Sequence, residues 1–192
     1  RHDTLKTGLE SLVRNMQYVA IEYSPDCAIP YVSRVDAGTI DHLRRLGISP
    51  VSSGDLIQEF EAIWDESVLD SHRTASTLLY EVKDRTFAFI RNGLSSGTLT
   101  EYAVQQQMVE WFGELNLVSD CSPVVAVQEN SGNPHYLPTC ASHRAIGSEQ
   151  IVLIDLWGKL DRSDSVYADI TWVGYTGTTP HPKASEIFGV AR

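Results

Sequence analysis

The spacing of apolar residues changes along the chain, and the change predicts where helices give way to strands. From residue 57 to about residue 92 the sequence is typical of helix, first around FEAIWD and then in one long segment. In that segment Val68, Ala75, Val82 and Phe89 recur every seven residues, as on one face of an amphipathic helix. We therefore expect this apolar stripe to face the core.

A second helix is predicted after the break NGLSSG. The run TLTE at residues 98–101 has the pattern of a capping box, with Thr98 as N-cap and Glu101 at the third helical position. The buried face of this helix is expected to hold Val104, Met108, Trp111, Phe112 and Leu115.

After residue 120 the apolar period shortens toward two, which indicates strands. SPVVAVQEN is predicted to be a strand that runs into the loop SGNPHYLPT, and IVLID and VYADITWVG are predicted to pair as a hairpin. Because the helices precede the strands without βαβ alternation, the predicted fold class is α+β with a mostly antiparallel sheet.

The beginning of the chain has the pattern of a separate small α/β unit. MQYVAIEYS is strand-like, AIPYVSRVD is a strand and turn broken by proline, and AGTIDHLRRLG is a short helix closed by Gly47. A further extended run, ISPVSSGDLI, is broken by Pro50 and Gly54. We therefore predict two domains, residues 1–54 and residues 55–192.

The net charge of the chain argues against two classes of binding partner. Fifteen basic and twenty-five acidic residues give the chain a net charge of −10, whereas a nucleic-acid or anionic-membrane surface needs basic patches. No apolar run approaches the roughly 20 residues that a membrane span requires. Neither nucleic acid nor membrane is therefore expected as a partner.

The three cysteines, Cys27, Cys121 and Cys140, lie far apart and form no CxxC pair. A disulfide framework or a ribbon-type zinc site is therefore not expected. Free thiols in a reducing compartment are the preferred interpretation, which predicts a cytoplasmic location.

Each strand of the predicted hairpin carries one acid inside an apolar run, Asp155 and Asp169. If the hairpin turns about Arg162, the two acids lie directly opposite each other on one face, with Cβ atoms about 4.5 to 5.5 Å apart. Like charges so placed are destabilising unless they share a proton, meet a basic side chain or bind a cation. Thr171, two residues beyond Asp169, could bind a carboxylate oxygen or a metal-bound water.

The loop His135 immediately precedes the first strand of the hairpin and could donate a proton or bind substrate. Paired carboxylates are hard oxygen ligands that suit divalent cations. Two other interpretations stay open from these residues alone, that one acid faces solvent in an edge strand and that the hairpin has a different register. A zinc site of His135, Cys140 and His143 is a weaker alternative, because no fourth ligand has suitable spacing.

The run NPHYLPT, followed by IVLIDLWGKL and VYADITWVGYTG, resembles the pita-bread metallopeptidases, namely methionine aminopeptidases, Xaa-Pro dipeptidases and aminopeptidase P. The resemblance implies that residues 55–192 are the first half of a pita-bread catalytic domain. Residues 1–54 would be the end of the small α/β domain that precedes it in the creatinase and prolidase branch.

The resemblance also implies roles for individual residues. Asp155 and Asp169 would be the first ligands of a two-metal centre holding Mn, Co, Zn or Fe, supported by Thr171, and His135 would bind substrate and shuttle protons. The implied reaction is hydrolysis of the peptide bond near the N terminus of short peptides, including proline-containing ones, by a hydroxide shared between the metals. A homodimer is compatible with this reading.

This sequence departs from the family pattern in three places. The two aspartates are further apart than usual, which an enlarged hairpin turn would absorb. Leu-Trp-Gly follows Asp155, and Trp172 stands where the family often has arginine; both departures bear on substrate preference and not on the metal. The family's remaining ligands, a His and two Glu, belong to a second half expected after FGVAR. His181 and Glu186 are assigned to a surface loop and a helix start.

The chain is therefore expected to be a fragment that is inactive by itself. The alternative of another class is a non-catalytic pita-bread domain that acts as a binding or interaction module. A creatinase-like hydrolase that acts without metal is a third reading. Both are disfavoured because neither needs two opposed acids.

Overall fold

The computed structural model describes residues 2–191, and at positions 2, 3, 30 and 191 it describes the backbone only. The chain divides into two compact units, Arg1–Trp64 and Asp65–Arg192. The boundary predicted after residue 54 coincides instead with the start of a helix of the first unit. The correspondence of the two units to the two predicted domains stays a proposal.

The first unit contains three helices and a two-stranded parallel sheet, as a small α/β unit should. Its elements are α1 (His2–Val13), β1 (Tyr18–Ile21), α2 (Ala37–Arg45), β2 (Ser49–Ser52) and α3 (Gly54–Glu61). The predicted helix α2 is confirmed, with Asp36 as its N-cap and Gly47 after its end at φ 76°. A small cluster of Val13, Leu43 and Ile48 forms the core.

The strand predicted at AIPYVSRVD is wrong. Two short 3-10 turns, Pro25–Cys27 and Pro30–Val32, lie in this part of the chain. Proline has no backbone N–H to donate to a neighbouring strand. Turns are the local structures that accommodate it at these positions.

The second unit packs helices against an antiparallel sheet. Its elements are α4 (Glu66–Gly93), α5 (Glu101–Glu114), β3 (Leu117–Val118), β4 (Val124–Val127), β5 (Ile151–Leu160), β6 (Ala168–Tyr175) and α6 (Pro182–Ala191). The central strand β5 pairs antiparallel with each of β3, β4 and β6. The expected α+β class with a mostly antiparallel sheet is confirmed.

The long helix α4 is predicted correctly, but its buried face differs from the predicted stripe. Ala75 and Val82 are fully buried, whereas Val68 and Phe89 are only partly buried. The remaining buried positions on this helix are Ser71, Leu79, Thr86 and Ile90. Because the helical repeat is 3.6 residues, a strict seven-residue stripe drifts around a straight helix and leaves the buried face.

The capping box predicted before α5 is wrong. The N-cap is Thr100, whose side chain accepts a 3.1 Å hydrogen bond from the Ala103 N–H. Glu101 is therefore the first helical residue, and its side chain is fully buried instead of capping the backbone. Tertiary hydrogen bonds, described below, take the place of the local cap.

Burial alternates along β5, as expected for a strand with one face against the core. Val152, Ile154 and Leu156 are fully buried among the residues that pack with α4 and α5. Asp155 and Trp157 lie on the opposite face and are only partly buried. The acids therefore lie on the side of the sheet away from the hydrophobic core.

Candidate functional site

The face of the β5–β6 pair that turns away from the core carries both acids, but in a register that differs from the predicted one. Asp155 pairs with Thr171, and Trp157 pairs with Asp169. The pairing is centred on Ser163, so the prediction that Asp155 lies directly opposite Asp169 is wrong. The acids are diagonal neighbours on the same face, a relationship that puts side chains roughly 7 to 8 Å apart.

The turn explains the shift of register. The Ser165 hydroxyl, buried beneath the turn, lies 2.6 Å from the Leu160 carbonyl oxygen and 2.9 Å from that of Arg162. These two contacts close the first strand at Leu160 and make Ala168 the first residue of the second. The register differs from the predicted one by two residues, and because the side-chain period is two, every side chain stays on its original face.

Thr171 is the direct cross-strand partner of Asp155, and their side chains are in contact. The Thr171 hydroxyl donates a hydrogen bond of 2.6 Å to Asp155 Oδ1. This bond fixes the orientation of the carboxylate while leaving further lone pairs on both oxygens for another ligand. Thr171 thus binds a carboxylate oxygen, which is one of the two contacts that the sequence suggested for it.

The two acids also interact electrostatically. Burial raises the pKa of Asp169, although the residue as a whole is exposed, and the negative charge of Asp155 raises it further. An elevated carboxyl pKa means that the second negative charge is disfavoured at this place. A cation bound between the acids would reverse that penalty.

A tryptophan that sequence reasoning did not assign to the site lies beside the acids. Trp157 faces Asp169 across the strand pair, and its Nε1 donates a 2.7 Å hydrogen bond to Asp120 Oδ1. This bond ties one side of the acidic face to the segment between β3 and β4. The period of two along β5 was the available signal, because it puts Trp157 on the face of Asp155.

A cavity of about 290 Å³ opens beside the acids. Asp155 and Thr171 form one side, and the loop residues Asn133, Pro134 and Tyr136 form another. The remaining lining residues are Val124, Ala126, Asn130, Ser131, Gly132 and Leu153. The predicted loop therefore lies beside one of the two predicted acids, Asp155.

His135 is placed less favourably than the sequence predicted. Its side chain is exposed, and its backbone N–H donates a 3.0 Å hydrogen bond to Asn133 Oδ1. Its two sequence neighbours line the cavity, whereas His135 is not among the lining residues. The structure thus brings together Asp155, Asp169 and Thr171, with His135 at the margin.

The sequence pattern of metallopeptidase family M24 matches residues 70–192. This span includes the loop of His135 and both strands of the acidic face. The chain belongs to this family.

Solved structures of peptidases share the fold of this M24 chain. They include dipeptidase PepE of Mycobacterium ulcerans (18% identity, TM-score 0.64, covering 90% of this chain and 41% of that one). A dipeptidase of Pyrococcus horikoshii OT3 (21% identity, TM-score 0.63, 98% and 47%) and prolidase of Pyrococcus furiosus (16% identity, TM-score 0.60, 95% and 48%) are also similar.

The second unit of the M24 chain is accordingly part of a pita-bread fold. The chain spans less than half the length of these three solved structures. No curated protein matches the sequence.

The M24 chain supplies an incomplete set of donors for a metal. The two carboxylates on one face have the oxygen chemistry that hard divalent ions prefer. Within residues 2–191, however, no three His, Cys, Asp or Glu side chains are grouped so that they could hold a metal ion. The residues present therefore fit part of a metal shell.

The same finding removes support from the zinc alternative. His143 Nδ1 is 2.8 Å from the Thr139 carbonyl oxygen, and its ring stacks on Tyr102. Cys140 is exposed and a free thiol. His143 is thus occupied by local contacts with Thr139 and Tyr102.

His181 and Glu186 lie where the sequence predicted, at the surface around the start of a helix. The His181 carbonyl accepts the first backbone hydrogen bond of α6, and Glu186 forms an ion pair of 3.0 Å with Lys183. Both side chains are exposed.

In the part of the chain that the structure describes, no helix is both long enough and apolar enough to cross a lipid bilayer.

Sequence reasoning missed the role of Glu101 entirely. This carboxylate is fully buried and accepts hydrogen bonds from Val127, Asn130, Tyr136 and Arg144. Burial and the bond to Glu101 raise the pKa of Tyr136 to about 12. Nothing in the sequence around Asn130 or Tyr136 indicates that both side chains bind the same buried acid.

Proposed function

We propose that this chain is part of a metal-dependent peptidase of the Xaa-Pro dipeptidase or aminopeptidase P type, which hydrolyses the peptide bond near the N terminus of short peptides. The observation that carries the proposal is the Asp155–Thr171 hydrogen bond of 2.6 Å, on the same sheet face as Asp169. Membership of family M24 and the dipeptidase and prolidase structures that share the fold support it.

Asp155 and Asp169 are the proposed ligands of two divalent ions, which would be Mn, Co, Zn or Fe. When bound, such ions supply Lewis acidity and lower the pKa of a water molecule. Thr171 orients Asp155, and the mutual repulsion of the acids disfavours their doubly ionised form when no cation is present.

His135 is the proposed substrate-binding and proton-shuttling residue. It stands at the margin of the cavity of about 290 Å³ that Asp155 lines, close to the lower end of the roughly 300 to 1,000 Å³ of small-ligand pockets. A cavity of this size accommodates a peptide of a few residues. Peptides that contain proline are the proposed substrates.

Residues 1–192 by themselves are proposed to be inactive. Within the described residues the acidic face offers two carboxylates, whereas a catalytic metal site needs about three protein ligands. A purified chain of residues 1–192 that measurably hydrolyses an Xaa-Pro dipeptide would refute this part of the proposal.

Isothermal titration calorimetry with Mn²⁺ tests the metal site without needing activity. Asp155→Asn and Asp169→Asn are expected to abolish the binding that the unaltered chain shows. Asp164→Asn, which removes an exposed acid in the hairpin turn, is the matched control and should leave binding intact. Equal binding by all four proteins would refute the assignment of Asp155 and Asp169.

One observation favours a second function of another class. A non-catalytic binding or interaction module would also have an incomplete set of metal ligands, as the described residues do. Absence of Mn²⁺ binding by the unaltered chain, together with unchanged folding, would favour that module. Assembly as a homodimer and a cytoplasmic location remain predictions.

A further inference from the structure

Glu101 is a buried acid that the proposed reaction does not use. It is the first residue of α5, directly after the N-cap Thr100, and its side chain has 0% exposure. A buried carboxylate is costly unless its oxygens are fully hydrogen-bonded. The positive end of the helix dipole at this position adds favourable electrostatics.

The hydrogen-bond donors to Glu101 are the last residue of β4 and three residues of the loop between β4 and β5. The Val127 N–H donates to Oε1 at 2.7 Å, and Asn130 Nδ2 lies 3.0 and 3.2 Å from the two oxygens. The Tyr136 hydroxyl donates to Oε2 at 2.5 Å, and the Arg144 N–H does so at 2.6 Å. One carboxylate thus holds the end of β4 and three positions of the loop.

The backbone of Glu101 forms a further hydrogen bond to the loop. The Glu101 N–H donates to the Arg144 carbonyl at 2.9 Å, and Thr100 forms a single antiparallel bridge with Ala145. The far end of the loop is therefore held both by the backbone of α5 and by its first side chain. Such a network specifies one loop conformation because every donor would be left unpaired in another.

Two of these donors, Asn130 and Tyr136, also line the cavity of Asp155 and Thr171. The Tyr136 side chain thus reaches from the cavity wall to Glu101, and it anchors the residue next to His135. The Tyr136 N–H in turn donates to the Asn133 carbonyl at 3.0 Å, which closes the short turn around His135.

We propose that Glu101 is a positioning residue that holds the segment from Asn133 to Tyr136 as a wall of the cavity beside Asp155. This inference deepens the proposed function and rests on it for the identity of the site. Glu101 itself is not a catalytic residue, because it contacts the loop and not the cavity.

Glu101→Gln is the informative substitution, because it keeps the size of the side chain. An amide has one acceptor oxygen and one NH₂ donor. Whichever way the amide points, either the Val127 N–H or the Arg144 N–H then faces another donor and loses its partner. Gln105→Met is the matched control on the same helix, since it removes a buried hydrogen bond of 2.9 Å to the Pro123 carbonyl.

The first measurement uses Mn²⁺ as a paramagnetic probe in ¹H–¹⁵N NMR spectra of the full chain. In the unaltered protein and in Gln105→Met, Mn²⁺ is expected to broaden the amide signals of Asn133, His135 and Tyr136 together with those flanking Asp155. In Glu101→Gln the broadening of the loop signals should fall severalfold while that of the signals flanking Asp155 persists. Unchanged loop broadening in Glu101→Gln would overturn the inference.

The second measurement needs no metal and separates the two proposals. If Mn²⁺ broadens nothing in the unaltered chain, or does so equally in Asp155→Asn, the metal site of the proposed function fails. Amide hydrogen exchange then decides the role of Glu101. Exchange between residues 127 and 144 should be faster in Glu101→Gln than in Gln105→Met, and equal rates would overturn the inference.

Tyr136→Phe provides the readout if Glu101→Gln does not fold. It removes one donor and leaves the carboxylate with its other partners. The same measurements should show a smaller effect in the same direction, centred on His135 and Tyr136. No change in either measurement would overturn the inference.

Discussion

Thr171 lies directly across from Asp155 on the antiparallel pair β5–β6, and its hydroxyl donates a hydrogen bond of 2.6 Å to the Asp155 carboxylate. Asp169 lies two residue pairs along the ladder on the same face, opposite Trp157. One acid of the pair is therefore oriented by a hydroxyl, whereas the other has a pKa raised by burial and by its neighbour's charge. The two proposed ligands thus differ in their surroundings.

The first prediction concerns the hydroxyl of Thr171. Thr171→Val keeps the branched shape but removes the hydrogen bond, so Mn²⁺ affinity should fall about tenfold, as for other residues that orient metal ligands. Isothermal titration calorimetry measures this change. Thr171→Ser keeps the hydroxyl and should bind nearly as the unaltered chain does. Equal affinities for Val and Ser variants would contradict the orienting role.

The second prediction concerns the charge of Asp155. Asp155→Asn removes that charge, so the pKa of Asp169 should fall toward its ordinary value but stay elevated by burial. Carboxyl ¹³C NMR titration of Asp169 measures the change, with Asp164→Asn as control. An unchanged or higher pKa would show that the acids do not interact.

The same raised pKa has a consequence for stability. The folded state holds the Asp169 proton more tightly than the unfolded state, so this residue's contribution to stability is present below pH 3.8. That contribution is lost as the pH rises through the folded-state pKa. The loss should be smaller in Asp155→Asn than in the unaltered chain.

The third prediction concerns Tyr136, whose pKa is raised from 10.0 to about 12. The folded state keeps this phenol protonated where the unfolded state has lost its proton. The stabilisation is therefore fully present below pH 10 and is lost as the pH rises toward 12. Urea unfolding at a series of pH values measures it.

Tyr136→Phe should reduce the free energy of unfolding at neutral pH by about 1.5 to 3 kcal/mol through the lost hydrogen bond to a carboxylate. Its difference from the unaltered chain should shrink above pH 10. Tyr80→Phe, which removes a phenol on α4 that is 43% exposed, is the control. A constant difference across the pH series would contradict the buried Tyr136–Glu101 bond.

The fourth prediction concerns the packing of α4 against β6. A Cβ atom at Gly174 would clash with Cε1 of the Phe87 ring, so Gly174→Ala should cost about 1 to 3 kcal/mol through overpacking. Thermal unfolding measures the loss. Adding Phe87→Leu, which removes the ring, should recover part of it.

Gly113→Ala is the control for that experiment. A Cβ atom at Gly113 meets nothing within 4 Å, and its helical position on α5 favours alanine by about 0.5 to 1 kcal/mol. It should therefore leave stability unchanged or raise it. A loss at Gly113 equal to that at Gly174 would show that close contact with Phe87 is not the cause.

Much of the second unit follows from local pattern. The apolar stripe of α4 and the alternation along β5 and β6 each predict an element that the structure contains. The placement of Asp155 and Asp169 on one face is also predictable, because side chains alternate with a period of two. The shifted register did not disturb it, since a shift by two residues preserves the face.

The cross-strand partner of each acid could not be predicted from the period of two. Whether Asp155 faces Asp169 or Thr171 depends on where the turn closes, and that depends on the Ser165 hydroxyl and the carbonyls of Leu160 and Arg162. The prediction that the hairpin turns about Arg162, the middle of the polar run, takes no account of these contacts. The margin position of His135 likewise depends on the loop's own hydrogen bonds.

Local sequence pattern was therefore enough to predict helices α2, α4 and α5, the hairpin and the shared face of the two acids, because these arise mainly from interactions between neighbours along the chain. The tertiary structure alone decided the role of Glu101. Its partners lie 26 to 43 residues away along the sequence, and no local periodicity links them. Their buried donors converge on one carboxylate because leaving them unpaired in the interior would cost more than ordering the loop.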